Sequence, residues 1–146
     1  MQLVVYGQDP IPILANWTNT YFSLIPNRSI SPRTFNTTAF PPEYSGKLIY
    51  YLPVADTNTV SIYWQTQPLE SLYRNDVAEF LSRYLGHEGQ GSILYYLKQS
   101  NWANSLTVGT EVDTDSFTLF VVSIELTEEG LSHVSEVVAS VFQYMR

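Results

Sequence analysis

Residues 116–126 read SFTLFVVSIEL, and residues 127–146 follow at once with TEEGLSHVSEVVASVFQYMR. The first stretch is rich in β-branched and aromatic residues. Its middle, residues 117–122, is nearly all apolar, the pattern of a strand covered on both faces. The second stretch has Thr127 at a cap position, Glu128 and Glu129 at the positive end of a helix dipole, and one apolar stripe of Leu131, Val134, Val138, Val141, Phe142 and Met145. Burying each of these contributes about 1.5–3 kcal/mol. A strand that needs cover, joined directly to a helix that needs a sheet, restricts the fold severely: the helix must lie on the sheet that holds the strand.

The rest of the chain supplies partners for that pair. Residues 47–54 (KLIYYLPV) and 59–67 (TVSIYWQTQ) read as two strands of a hairpin, with ADTN as the turn between them. Residues 69–85 read as a helix with Leu72, Val77, Phe80, Leu81 and Tyr84 inward, Pro68 just before its start, and Gly86 supplying a left-handed end. A second helix starts near Ser92, a candidate cap, with Ile93, Leu94 and Leu97 buried. SLTVGTEV (105–112) pairs as a strand with 116–126 around DTDS. From residue 47 the predicted order is β-β-α-α-β-β-α, an α+β fold with helices packed on one face of a mostly antiparallel sheet. Upstream, QLVVYG (2–7) has the shape of a buried strand. Asp9 and Pro10 then open a helix marked by Ile13, Leu14, Trp17, Tyr21 and Ile25. Pro26 ends that helix, and residues 27–46, rich in Pro, Ser, Thr and Asn, read as a linker. The expected organisation is thus residues 1–26, a linker over 27–46, and a module over 47–146.

Composition narrows the function classes. The net charge of −7 argues against a nucleic-acid backbone as partner and is compatible with cationic or amine-bearing ones. With no cysteine there is neither a disulfide framework nor a thiolate zinc site. No apolar run has the length to span a bilayer, and MQLVVYG reads as a strand rather than a targeting leader. No membrane partner and a soluble, cytoplasmic protein are the default expectations. The Asn-x-Ser/Thr triplets at Asn16, Asn27 and Asn36 lie in an Asn- and Thr-rich stretch where chance accounts for them.

The chemistry-bearing candidates sit in YLGHEGQGSILYYL, residues 84–97. From His87 the sequence runs H-E-G-Q-G, which lacks the second histidine of a helical zinc motif and cannot hold a helix. From His133 it runs H-V-S-E-V, the inverted-motif spacing with Val137 where the second ligand belongs; valine cannot ligate. No metal site and no cofactor are therefore expected in this chain. His87 and Glu88 are a conceivable acid/base pair, but no nucleophile or orienting third group accompanies them. Glycines at 86, 89 and 91 match neither a dinucleotide fingerprint nor a P-loop. What they do offer is accessible main chain, with Glu88 to attract a positive group. A tight connection between two helices, with Glu88 merely solvated, is the competing reading.

LGHEGQGSILYYLKQSNWANSL, followed by LFVVSIELTEEGLSHVSEVVASVFQYMR, resembles the second module of the insulysin/nardilysin group, within the pitrilysin family of inverted-zinc-motif metallopeptidases. The shared signature is GHEGxGS, a Trp-x-Asn stretch, LTEEGLxHV and FQY. KLIYYLPV resembles the strand that opens this module, and LVVYG and FSLIPN resemble the end of the preceding catalytic one. The resemblance implies the α+β pitrilysin or processing-peptidase-like fold. It also implies a chain that spans the end of a catalytic module (1–26) and the first part of its non-catalytic neighbour (47–146), with the H-x-x-E-H zinc site of the parent enzyme outside these residues.

In insulysins the GHEG turn and the strand after Trp-x-Asn anchor the amino terminus of a peptide substrate, which adds as an extra strand. Carried over, that role falls to Gly86, Glu88, Leu106 and Val108. Val108 stands where the group usually has glycine, and EFLSRYLGH lacks the upstream histidines of insulysins. The implied partners are peptide substrates and sibling modules of the same polypeptide. The alternative function is a scaffolding module from a catalytically inactive relative. Unshielded apolar surface on the isolated chain predicts self-association.

Overall fold

The computed structural model describes residues 2–31, 33, 35, 39–55 and 57–146. The chain divides into two compact units, residues 1–33 and 34–146. Asn36 and Asp56 lie outside the described residues, and with them one glycosylation triplet and part of the predicted ADTN turn.

In the first unit a single helix, α1 (Ile11–Phe22), follows Pro10, whose fixed φ suits a helix start. Only Leu14 and Thr18 along it are half-buried; the Thr18 hydroxyl donates to the Leu14 carbonyl at 2.8 Å. Residues 2–7 are not a strand, contrary to the sequence expectation. A strand exists through its neighbour's hydrogen bonds, and this unit contains no second strand among the described residues. Val4 and Tyr6 are consequently almost fully exposed.

The second unit is a three-stranded antiparallel sheet with helices on one face. Its strands are β1 (Asn58–Thr66), β2 (Ala103–Asp113) and β3 (Thr118–Leu126), in the order β1-β3-β2. Thr118, Phe120, Val122, Ile124 and Leu126 alternate along β3 and are all buried beneath the helices, while the residues between them are only half-buried. The expectation that both faces of β3 are covered is thus corrected. The apolar run is long, but only every second side chain meets a helix. The open face carries polar pairs instead, such as Ser61 Oγ to Ser123 Oγ at 3.0 Å.

Four helices complete this unit: α2 (Val77–Leu85), α3 (Ile93–Gln99), α4 (Glu128–Leu131) and α5 (Val134–Tyr144). Leu85, Ile93, Leu94, Leu97, Val137 and Val141 pack on the buried face of β3 and on Leu106 of β2. The Ser92 side chain caps α3 by accepting from Tyr95 N–H at 3.1 Å, and Thr127 caps α4 by accepting from Gly130 N–H at 2.9 Å.

Three further expectations are corrected. Residues 47–54 form no strand, so the sheet lacks the predicted hairpin; Leu48, Ile49, Tyr50, Leu52 and Val54 are exposed. The predicted helix over 69–85 is a short 3-10 turn (Glu70–Leu72), then Asp76 in left-handed backbone, then α2. Its inward face is set by Ala78 and Leu85, leaving Val77, Phe80, Leu81 and Tyr84 exposed, because the small side chain of Ala78 lets the helix approach the sheet closely. The C-terminal helix breaks at Ser132 and His133. That break changes the phase of the stripe: Val137 is buried, while Leu131, Phe142 and Met145 are exposed.

Candidate functional site

The connection between α2 and α3, residues 86–92, joins two helices that pack on the same sheet face. Gly86 ends α2 and donates its N–H to the Ser82 carbonyl at 2.8 Å. Its φ is −81°, so the left-handed conformation expected of it is absent; Gly91, with φ of 87°, holds that backbone instead. Gly86 is required for a different reason. A Cβ there would lie 2.6 Å from the Ser82 carbonyl oxygen and 3.9 Å from Cβ of Val108. The turn therefore lies against the middle of β2.

His87 acts inside the turn. Its Nδ1 accepts the Gly89 N–H at 3.2 Å, which requires that nitrogen to carry no proton. The Gly89 carbonyl in turn accepts the Ser92 N–H at 3.0 Å, just where Ser92 starts α3. His87 is thus a local backbone partner that shapes the turn. Glu88 is exposed, and its carboxylate has no hydrogen-bond or ion-pair partner among the described residues.

β2 is an edge strand, paired with β3 on one side only. Leu106 pairs with Ile124 and is buried in the core; Val108 pairs with Val122 and is half-buried. Of the four residues implied for peptide anchoring, Gly86 ends α2 on the side of β2 where a Cβ added to it would lie 3.9 Å from Val108 Cβ, Leu106 is two residues away on the same strand, and Glu88 has no partner among the described residues. The Val108 side chain occupies the space where a glycine would leave the strand open. On the open face of the sheet, the Tyr63 phenol is held above its ordinary range by burial and by the neighbouring Glu111 carboxylate.

The chain's donor set does not fit zinc. Val137, at the place of the second ligand, is fully buried in the core. Among the described residues no three His, Cys, Asp or Glu side chains converge as a metal site. Among the described residues no helix is long and apolar enough to cross a membrane.

Sequence reasoning did not find the arrangement around Trp102. Its indole stacks on the His133 ring at 4.8 Å between centroids. Its carbonyl accepts the Thr127 N–H at 3.1 Å, and Gly130 lies directly against its main chain. The only trace in the sequence is the placement of Glu129 and Glu136 at four residues before and three after His133, a helical spacing.

The sequence matches the profile described as the peptidase M16 inactive domain over residues 1–146. It is 35% identical to nardilysin of Rattus norvegicus over 152 residues, covering 100% of this chain and 13% of that protein. It is 31% identical to the A-factor-processing enzyme of Saccharomyces cerevisiae, covering 99% of this chain and 14% of that protein. It is 30% identical to the insulin-degrading enzyme of Homo sapiens, covering 100% of this chain and 14% of that protein. The chain therefore spans about one seventh of the length of these curated relatives. The crystal structure of pitrilysin superposes with a TM-score of 0.90 over 95% of this chain and 15% of that one, at 19% identity, a likeness of fold. A profile matched from end to end, with relatives matched over the whole chain, leads to one conclusion: the chain belongs to the peptidase M16 (pitrilysin) family, as a non-catalytic domain of the insulysin/nardilysin-like type.

Proposed function

We propose that this chain is the peptide-anchoring part of an insulysin-like zinc endopeptidase, holding one end of a peptide while the zinc that cuts it is bound by residues outside this chain. In this reading residues 1–26 close the catalytic module, and residues 47–146 form the first part of its non-catalytic neighbour. The observation that supports the reading is the nearness of a glycine turn to the outer strand β2: a Cβ added to Gly86 would lie 3.9 Å from Val108 Cβ, and Glu88 in the same turn has no partner among the described residues.

The division of labour follows from the hydrogen bonds. The Gly86 N–H is already committed to Ser82, so the main chain available to a visitor is that of β2. An extended peptide pairs there as an added strand, through backbone bonds that do not depend on its sequence. Glu88 supplies a charge-assisted contact for a terminal ammonium. Because Glu88 is exposed, that contact is worth about 1 kcal/mol or less.

The test is Glu88→Ala in the full-length parent enzyme, assayed on matched peptides with free and acetylated amino termini. The expected result is a loss of up to about fivefold in kcat/KM for the free peptide alone. Equal effects on both peptides, or none on either, defeat the reading. The exposed apolar residues between Leu48 and Val54 favour a second role, packing against sibling modules, which also suits a catalytically inactive parent.

A further inference from the structure

Residues 41–44 read Pro-Pro-Glu-Tyr: two adjacent prolines, then a tyrosine one residue beyond them. Neither the sheet nor the glycine turn uses these residues. Pro41 has φ of −66° and ψ of 157°, the polyproline II conformation. Pro42–Tyr44 then forms one 3-10 turn. Tyr44 N–H donates to the Pro41 carbonyl at 2.9 Å, and Ser45 N–H to the Pro42 carbonyl at 3.0 Å. Pro42, Glu43 and Tyr44 are exposed, the tyrosine at 65%.

The turn is rooted at both ends. Phe40 donates its N–H to Gln65 Oε1 at 3.1 Å, and its ring packs edge-on against Phe117 at 5.9 Å between centroids. Gln65 belongs to β1 and Phe117 immediately precedes β3, so Phe40 fixes the start of the turn on the sheet. At the other end Gly46, with φ of 67°, turns the chain before the apolar residues 48–54. Between these two points residues 42–45 are all exposed.

A surface turn needs one proline for its fixed φ and no aromatic ring beyond it. Two adjacent prolines followed by an exposed phenol ring offer more. They make a preformed apolar ridge that loses little entropy on binding, with a ring at a set distance along it. Aromatic-lined grooves recognise such ridges. WW domains that read Pro-Pro-x-Tyr differ from SH3 domains that read Pro-x-x-Pro by a second pocket, which takes the tyrosine. We propose that residues 41–44 are a docking motif for a WW domain of a partner protein. The Pro41 and Pro42 rings enter the aromatic groove, the Tyr44 ring fills the neighbouring pocket, and Glu43 faces solvent. Docking extends the 3-10 turn, and the two hydrogen bonds it releases lie in exposed backbone that water can satisfy.

The whole chain is passed over an immobilised WW domain of the Pro-Pro-x-Tyr-reading class, with an SH3 domain as the comparison surface. The wild type binds the WW domain saturably and leaves the SH3 domain bare. Tyr44→Ala and Pro42→Ala each lower the affinity at least about tenfold, the loss expected of an anchor residue. Glu43→Ala changes it by less than about threefold, as a side chain outside the groove should. A further arm leaves the chain untouched: replacing the groove tryptophan of the WW domain with alanine abolishes binding. Absence of saturable binding by the wild type overturns the proposal. Binding that survives Tyr44→Ala or the altered WW domain also overturns it, and traces the capture to other exposed surface such as residues 48–54.

Discussion

Gly130 is pressed against the main chain of Trp102, with no room for a Cβ between them. This contact joins the start of α4 to the start of β2, and Thr127 reinforces it twice: its N–H goes to the Trp102 carbonyl and its hydroxyl to the Asn101 carbonyl at 2.6 Å. The glycine's neighbour is backbone, which cannot swing aside as a side chain would.

Gly130→Ala is therefore destabilising, although alanine is ordinarily the better helix residue by about 1 kcal/mol. The clash wins, and the expected net loss is about 1–3 kcal/mol. Urea unfolding compared with wild type checks both sign and size.

Thr118 is fully buried, yet polar. Its hydroxyl donates to Asp113 Oδ1 at 2.6 Å and accepts the Leu69 N–H at 3.2 Å, tying the β2–β3 turn to the segment that follows β1. Thr118→Val keeps the shape and leaves the Leu69 donor unpaired. The predicted cost is about 1–3 kcal/mol, read by the same unfolding experiment.

Val108→Gly opens the strand beside Gly86. Removing a half-buried side chain and adding backbone freedom lowers stability by about 1–2 kcal/mol. If β2 anchors peptides, the same change strengthens peptide capture, visible as a lower KM in the full-length parent. A change that weakens both stability and capture counts against the anchoring role.

Tyr63 titrates above ordinary tyrosines because of burial first and Glu111 second. Its neutral form is the one favoured by folding. That contribution is intact below the ordinary tyrosine range, near about pH 10, and is lost as pH rises through the higher folded-state value. Ultraviolet titration of the phenols should show a late component that moves toward the ordinary value in Glu111→Gln.

We expect the isolated chain to self-associate through residues 48–54, where Ile49 is 80% and Leu52 96% exposed. Ile49→Lys together with Leu52→Lys shifts the sedimentation profile toward monomer. An unchanged profile places the contact elsewhere.

What the sequence made legible was local. Ser92 and Thr127 each cap a helix whose first turn begins just after them, so their role depends on only three or four neighbours. The strand character of 118–126 and its pairing with β2 were equally plain, since the hydrophobic pattern and a short turn set both. The strands expected at 2–7 and 47–54 failed because β character is completed by a partner, and composition does not report whether a partner is present. The inward face of α2 is not set by its largest apolar residues: Ala78 and Leu85 pack on the core, while Val77, Phe80, Leu81 and Tyr84 are exposed. For the candidate site, the exposed glycine turn was readable directly. The nearness of Gly86 to Val108, 22 residues along the chain, is set by tertiary packing and carries no local signal. The stack of Trp102 on His133 spans a longer gap still, and no periodicity encodes it.

The pairing of β2 with β3 is regular only from Ser105 to Thr110, with a shift on either side. Six residues at roughly 3.4 Å each give a straight rail of about 20 Å. Beyond each end the strand kinks, so a guest longer than this must leave the sheet rather than keep zipping along it. The same kinks keep copies of the domain from propagating into an endless ribbon. If β2 anchors peptides as proposed, the berth is of fixed length, and the remaining length of a guest is left free to reach elsewhere.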